Sequence, residues 1–304
     1  MNMKFPIRKR VITAIATSVL ILSACGSSGS ESADTTTAPE QSLKIVSLSP
    51  TATEMLYAIG AGDQVVAVDS LSTYPAEVAP KVTKISAYEP SAEAILAYEP
   101  DVVLISNDMN KITEQLQSVN SHKITVWTGA AATSLEDVYK QITDLGALTG
   151  HVSGAADLVK SMKTRIDTAV TSVKPSMEMS AYYELDNTFY SITSNTFVGS
   201  LLKKFQLVSI ADGAEKGNDY PQLNAEAIVK ANPSVIFLAD TKCCQQSTKT
   251  VSARAGWSGI DAVKKGNVVE LDDDIASRWG PRVVDLIEKF ADAYKMLMPA
   301  SASK

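Results

Sequence analysis

Histidine is nearly absent from this chain: His122 and His151 are its only two. A zinc or manganese receptor draws on several histidines and carboxylates, so that class is disfavoured from the outset. His151 opens a long helical stretch and His122 lies in a polar turn before a strand, so neither reads as a base or a ligand. Also missing are a glycine-rich phosphate loop, a Gly-x-Ser-x-Gly elbow and a His-Glu-x-x-His pair, and no enzyme activity is expected. Cysteine is scarce too. Of three cysteines, Cys25 stands alone and Cys243 and Cys244 are adjacent, which rules out a disulfide framework. The adjacent pair is compatible with a vicinal disulfide, a soft-metal site or two reduced thiols. Aromatic residues make up only 6% of the chain, and the formal net charge is −6, which argues against nucleic acid as a partner.

Long apolar runs are lacking as well. The longest, Val11 to Leu22, is too short at about 1.5 Å per residue to cross a bilayer core of about 30 Å. It follows Lys4, Arg8, Lys9 and Arg10 and ends in Leu22-Ser23-Ala24-Cys25, the pattern of a bacterial lipoprotein signal over 1–24. Cys25 is then the expected lipidation site. Residues 25–42 are rich in Gly, Ser, Thr and Ala with no large apolar side chain, and are expected to be a flexible tether. Together they place a folded domain at the outer face of the cell membrane, attached through the lipid alone.

What the remaining chain does contain is a repeat. Ser91-Ala92-Glu93-Ala94-Ile95-Leu96 leads to Pro100 and Val102-Val103-Leu104-Ile105, and Asn224-Ala225-Glu226-Ala227-Ile228-Val229 leads to Pro233 and Val235-Ile236-Phe237-Leu238, at a constant offset. Each copy reads as a capped short helix, a proline stop and a buried strand. A period this long indicates two similar α/β lobes and not a solenoid. Glu93 and Glu226 occupy the same first-turn position in both copies. A carboxylate there is worth a few tenths of a kcal/mol on the helix dipole, and two in register suggest a symmetric docking surface.

Strands at Lys44–Leu48, Val65–Val68 and Ile124–Trp127 alternate with helices, one of which begins at Pro50 with Thr51-x-x-Glu54 at capping-box spacing. This N-terminal lobe spans 43–150. Helical spacing of Val152, Ala155, Ala156, Val159, Met162, Ile166, Ala169, Val170 and Val173 predicts one long helix within 151–175, joining the lobes and permitting little hinge motion. The C-terminal lobe, 176–304, starts with a strand at Met179–Glu184, includes a short helix over Trp257–Val263 and closes with an amphipathic helix from Pro281 to Met298.

In open parallel sheets a ligand sits beyond the carboxyl ends of the strands. Tyr88 and Tyr220 lie just before the two repeat helices, and Tyr190 falls in another such loop; aromatics from both lobes suit a large, flat, partly apolar ligand. Tyr182 or Tyr183, and Trp257, are expected in the core. Asp274 and Arg278, four apart at the last strand-to-helix loop, either pair with each other or bond the ligand's polar rim.

Val46-Ser47-Leu48-Ser49-Pro50-x-x-Thr53-Glu54, Tyr74-Pro75, Glu93-x-Ile95 with Pro100-Asp101-Val102-Val103, and Pro221-Gln222-x-x-x-Glu226 resemble the class III substrate-binding proteins of ABC importers. The likeness covers the chain from Leu43 onward and is strongest toward the vitamin B12-binding members, with siderophore and haem receptors sharing the pattern. It implies two Rossmann-like lobes on a backbone helix, a monomer, and a ligand carried between the lobes with no cofactor required. It also implies that Glu93 and Glu226 dock on the permease dimer, which works with ATPase subunits, and that Tyr88, Tyr190, Tyr220, Asp274 and Arg278 face the ligand. Leu71 and Ser106 stand where the B12 proteins have aromatics, and the Cys243-Cys244 pair is foreign to them. Cobalamin is the expected ligand, with haem or a ferric siderophore as alternative. The scarcity of arginine after the tether, where only Arg165, Arg254, Arg278 and Arg282 occur, disfavours anionic catecholates. From another class altogether, a surface-anchored thiol redox or metal-transfer protein using Cys243 and Cys244 is the alternative.

Overall fold

A computed structural model describes residues 42–119 and 123–298. Cys25, the signal segment, nearly all of the tether and His122 lie outside the described residues. In chain order the strands are β1 (Ile45–Leu48), β2 (Val65–Val68), β3 (Val102–Ile105), β4 (Thr125–Thr128), β5 (Met179–Glu184), β6 (Leu207–Ser209), β7 (Val235–Leu238) and β8 (Val268–Glu270). The α-helices are α1 (Pro50–Ala58), α2 (Ala92–Leu96), α3 (Ile112–Val119), α4 (Leu135–Thr149), α5 (Val152–Val173), α6 (Phe197–Lys203), α7 (Ala225–Ala231), α8 (Thr248–Ser252), α9 (Asp261–Lys264), α10 (Asp273–Ala276) and α11 (Val283–Leu297).

Two four-stranded parallel sheets form, ordered β2-β1-β3-β4 and β6-β5-β7-β8. The order is the same in both, as the repeat requires. Central strands β1, β3 and β7 are buried along their whole length, which is why β3 and β7 read as unbroken apolar runs and β1 as one interrupted only by Ser47. The chain reverses its winding between β1 and β3 in the first sheet and between β5 and β7 in the second. Those two strand pairs therefore mark the switch points where ligand-facing loops gather.

One face of each sheet carries its own small core, with Ile95 of α2 in the first and Ile228 of α7 in the second. The other faces share a single core. It runs from Ile45, Met55 and Leu56 through Met162 and Ile166 of α5 to Tyr183, Phe237 and Phe290. A jointly buried core of this kind resists relative motion, since each fully buried aliphatic side chain contributes about 1.5–3 kcal/mol. Helix α5 buries Ala155, Met162, Ile166 and Ala169, and leaves Val152, the first residue of the expected stripe, exposed. Its Gly154 lies so close to the end of α1 that a Cβ there would sit 2.1 Å from the Ile59 carbonyl oxygen. Arg165 ties α5 to α11 through Asp285 at 2.8 Å and Glu288 at 2.8 and 3.0 Å.

Two local features differ from expectation. Thr51 and Glu54 form no capping box: Ser49 caps α1 by accepting from the Ala52 amide at 3.3 Å, and Glu54 is buried in an ion cluster. The expected Trp257–Val263 helix is a 3-10 turn, Trp257–Gly259, then α9, with Ile260 extended between them. Trp257 is completely buried against Tyr182 and Phe189, and that anchoring breaks the helical course.

Candidate functional site

At the switch point of the first lobe the residues are small and hydroxylic. The Ser106 hydroxyl donates to the Ser49 hydroxyl at 2.9 Å, and Thr53 donates to Ser47 at 2.9 Å. Asp69, fully buried, accepts from the Leu71 amide and the Ser72 hydroxyl, each at 2.7 Å. Burial raises its carboxyl above the ordinary range even so. This network fixes the Asp69–Pro75 loop and presents Leu71 and Tyr74 outward, both exposed. Tyr88 is the most exposed large apolar side chain of the molecule among the described residues, at 65%.

The second switch point is charged. Glu184 ends β5 fully buried and receives both terminal nitrogens of Arg254 at 2.6 Å. The guanidinium lies over the rings of Trp257 and Phe189, at 4.5 and 5.4 Å. Asp240, just past β7, is also fully buried, and neither of its carboxyl oxygens has a hydrogen-bond partner among the described residues. Burial, with Glu184 adding repulsion, pushes its pKa up to about 7. A carboxyl held this way binds a proton in the folded chain across a range where the unfolded chain has released it. Its favourable contribution is complete below about pH 4 and is lost as pH rises to about 7. Asp240→Asn, a neutral isostere, should flatten the fall in unfolding free energy between about pH 4 and 7. At about pH 8 it should stabilise the chain by on the order of 1–3 kcal/mol. Urea titrations at several pH values check this, and parallel curves for the two proteins would contradict it.

Between the lobes sits an ion cluster that joins positions far apart in sequence. Glu54 of α1 accepts from Arg278 Nη1 at 3.0 Å and from Arg282 Nε and Nη2 at 2.9 and 2.6 Å. Arg278 also donates to Asp274 at 2.7 Å and to the Leu71 carbonyl at 3.4 Å, while Arg282 lies 4.1 Å over the Tyr74 ring. Trp279 donates to Gln141 of the opposite lobe at 3.2 Å. Gly280 keeps the backbone clear of Glu54, where a Cβ would stand 3.3 Å from the carboxylate. A concavity of about 520 Å³ lies beside this cluster, bounded by Tyr57, Tyr74, Leu158, Met162 and Arg282. Leu158, Ser161 and Met162 of α5 form one wall, and Tyr74 and Pro75 of the loop after β2 form another.

Of the site residues expected from sequence, Asp274 and Arg278 do pair, and the remainder of Arg278 is directed to Glu54, leaving its side chain 15% exposed. Tyr190 and Tyr220 are exposed on loops of the second lobe, and Tyr190 pairs its backbone with Gln222 in an isolated bridge. Tyr182, Tyr183 and Trp257 are buried. The ring of His151 bonds the Thr149 carbonyl at 2.9 Å, a local contact at a helix junction. Glu93 and Glu226 lie in the first turns of α2 and α7, and neither has a side-chain partner among the described residues. Their helices are capped alike: Ser91 accepts from the Ala94 amide at 3.3 Å and Asn224 from the Ala227 amide at 2.8 Å. Sequence reasoning gives no site role to Glu54, Glu184, Asp240 or Arg254. The available signal is an acid at or just past the end of two apolar strands, together with few arginines to neutralise them.

Comparison with known proteins bears on the family and the fold. The periplasmic binding protein family model matches residues 45–275. The uncharacterized ABC transporter substrate-binding lipoprotein YvrC of Bacillus subtilis is 34% identical over 256 residues, covering 82% of this chain and 79% of that protein. A cobalamin-binding protein of Halobacterium salinarum is 29% identical over 261 residues, covering 83% and 69%. Among solved structures, the periplasmic haem-binding protein HutB of Vibrio cholerae superposes with a TM-score of 0.73 at 19% identity, covering 84% of this chain and 99% of that one.

Proposed function

This chain belongs to the periplasmic binding protein family, and on that premise we propose that its cleft receives a corrinoid of the cobalamin class. It is an extracytoplasmic substrate-binding component of an ABC importer and not an enzyme. The observation that carries the ligand reading is a matter of charge. Arg165, Arg254, Arg278 and Arg282 are each engaged by carboxylates, and Lys242 in the loop after β7 is held by Asp272 and Asp274. No guanidinium is left over for an anionic ligand among the described residues, whereas Tyr88, Tyr190, Tyr220 and Leu71 offer exposed apolar surface. Such a surface favours a large, flat molecule without concentrated negative charge. The similarity to a cobalamin-binding protein supports the same choice.

Native mass spectra with cyanocobalamin, haemin, and ferric catecholate and hydroxamate siderophores test the assignment. Cyanocobalamin should be retained. Tyr88→Ala and Tyr220→Ala should each weaken it by roughly 5- to 150-fold, the equivalent of about 1–3 kcal/mol, with unfolding midpoints unchanged. Retention of haemin alone would make the tyrosines iron ligands and transfer the assignment to haem.

The delivery partner in this reading is a two-fold permease with its ATPase subunits, approached by a monomeric receptor through Glu93 and Glu226. We also assign membrane attachment to a lipid on Cys25. Two-chain lipidation holds a protein at the bilayer through about 0.8 kcal/mol per buried methylene. Cys25→Ser should thus release a folded protein into the soluble fraction of detergent-free extracts, and undiminished membrane retention would refute the anchor.

A further inference from the structure

Cys243 and Cys244 take no part in the transport reading, yet the structure holds them in a built position. They follow β7 at the carboxyl edge of the second sheet, with their Sγ atoms 2.7 Å apart; Cys243 is exposed and Cys244 half-buried. The Lys242 and Cys243 amides donate to the two carboxylate oxygens of Asp273, at 2.9 and 2.8 Å, and the Thr241 hydroxyl reaches the same carboxylate at 2.9 Å. The Lys242 ammonium bridges Asp272 at 2.7 Å and Asp274 at 3.0 Å. Asp274 in turn holds Arg278, which spans to Glu54 in the other lobe. The loop carrying the thiols and the turn carrying the interlobe cluster are thus bonded into one unit.

We propose that Cys243–Cys244 is a covalent modification site on the cleft rim: a dithiol that exchanges with low-molecular-weight disulfides outside the cytoplasm and closes to a vicinal disulfide. One thiol, as thiolate, attacks the disulfide R–S–S–R, forming a mixed disulfide and releasing one R–SH. The neighbouring thiol then attacks the protein sulfur of that mixed disulfide, the Cys243–Cys244 bond forms, and a second R–SH leaves. The protein loses two hydrogens and two electrons, and the external disulfide gains them. A bond between adjacent cysteines closes a small ring through the peptide that joins them. The geometric demands of the linkage turn that peptide, and the Cys243 amide leaves Asp273. The effect reaches Arg278 through the neighbouring Asp274.

Partial desolvation of the sulfur, the contact with Cys244 and the Asp273 carboxylate push the Cys243 thiol up to about 12. Exchange through Cys243 therefore accelerates by about tenfold per pH unit as its thiolate fraction grows.

The test uses the full chain with hydroxyethyl disulfide as the oxidant, followed by intact-mass measurement and peptide mapping. The mass should fall by two hydrogens with no reagent retained, and the link should map within 243–244. Amide hydrogen exchange over 272–279 should accelerate about tenfold in the oxidised protein. Cys243→Ser and Cys244→Ser should each show neither the internal link nor the faster exchange. Stable mixed disulfides on both sulfurs, a link between two chains, or no reaction at raised pH would each overturn the site. An internal disulfide with unchanged exchange over 272–279 would overturn its connection to the cleft.

Discussion

Uptake should collapse in cells carrying Glu93→Ala together with Glu226→Ala, while the purified double variant keeps its solution affinity for cyanocobalamin and its thermal stability. Both carboxylates are unpartnered among the described residues, in equivalent turns of capped helices that the repeat places in opposite lobes. In the docking proposed above, a two-fold permease presents each of them with the same pocket. A charge-assisted hydrogen bond to a buried arginine contributes roughly 1.5–3 kcal/mol, and an arginine left unpaired in the interface costs more. As helix-dipole residues they contribute well under about 1 kcal/mol to the fold. Each single change should give a partial loss. Measured uptake and capture by the reconstituted permease decide the matter: normal values for the double variant would return both residues to a purely local role.

Glu54→Ala should destabilise the chain by about 3–5 kcal/mol, because it strands the Arg278 and Arg282 guanidiniums in a largely buried junction. The carboxylate is 2% exposed and the two arginine side chains 15% each, so water cannot replace the lost partner. Glu54→Gln should fall between wild type and alanine, since the amide keeps the shape and one acceptor while losing the charge. Chemical denaturation measures the difference. Asp144→Ala, which removes an exposed pairing with Lys140 on α4, is the control and should cost less than about 1 kcal/mol. Equal effects at the two positions would show that Glu54 is not the interlobe clamp.

Much of the architecture is legible in the order of residues. Helix α5 and strand β5 occupy the ranges that their patterns indicate, because the signals are local: a helical stripe bounded by Gly150 and Pro175, and an extended run of apolar and β-forming residues. The equivalence of Glu93 and Glu226 is also readable, since a Ser or Asn cap reaches only three residues along the chain. Strand β6 gives little signal, being three residues long at a sheet edge, and so does α10, whose Asp-rich start resembles a loop. Thr51-x-x-Glu54 misleads for a related reason. Capping-box spacing is a local pattern, but Ser49 is the cap, so Thr51 lies inside α1 and the Glu54 carboxylate is free to meet two distant arginines.

Sequence by itself determined two α/β halves, a long connecting helix and a matched pair of glutamates, because helix caps and hydrophobic periodicity act over a few residues. Tertiary structure alone decided the electrostatics of the cleft. Glu54 and Arg278 are 224 positions apart, and Glu184 and Arg254 are 70. The first meeting depends on how the two lobes face each other, and the second on packing around the end of β5 within one lobe. Burial there removes water from Asp240 and Glu184 and makes each pairing a condition of stability. No periodicity in the sequence encodes which side chains lose their solvent, because that loss is a property of the packed lobes and not of any segment within them.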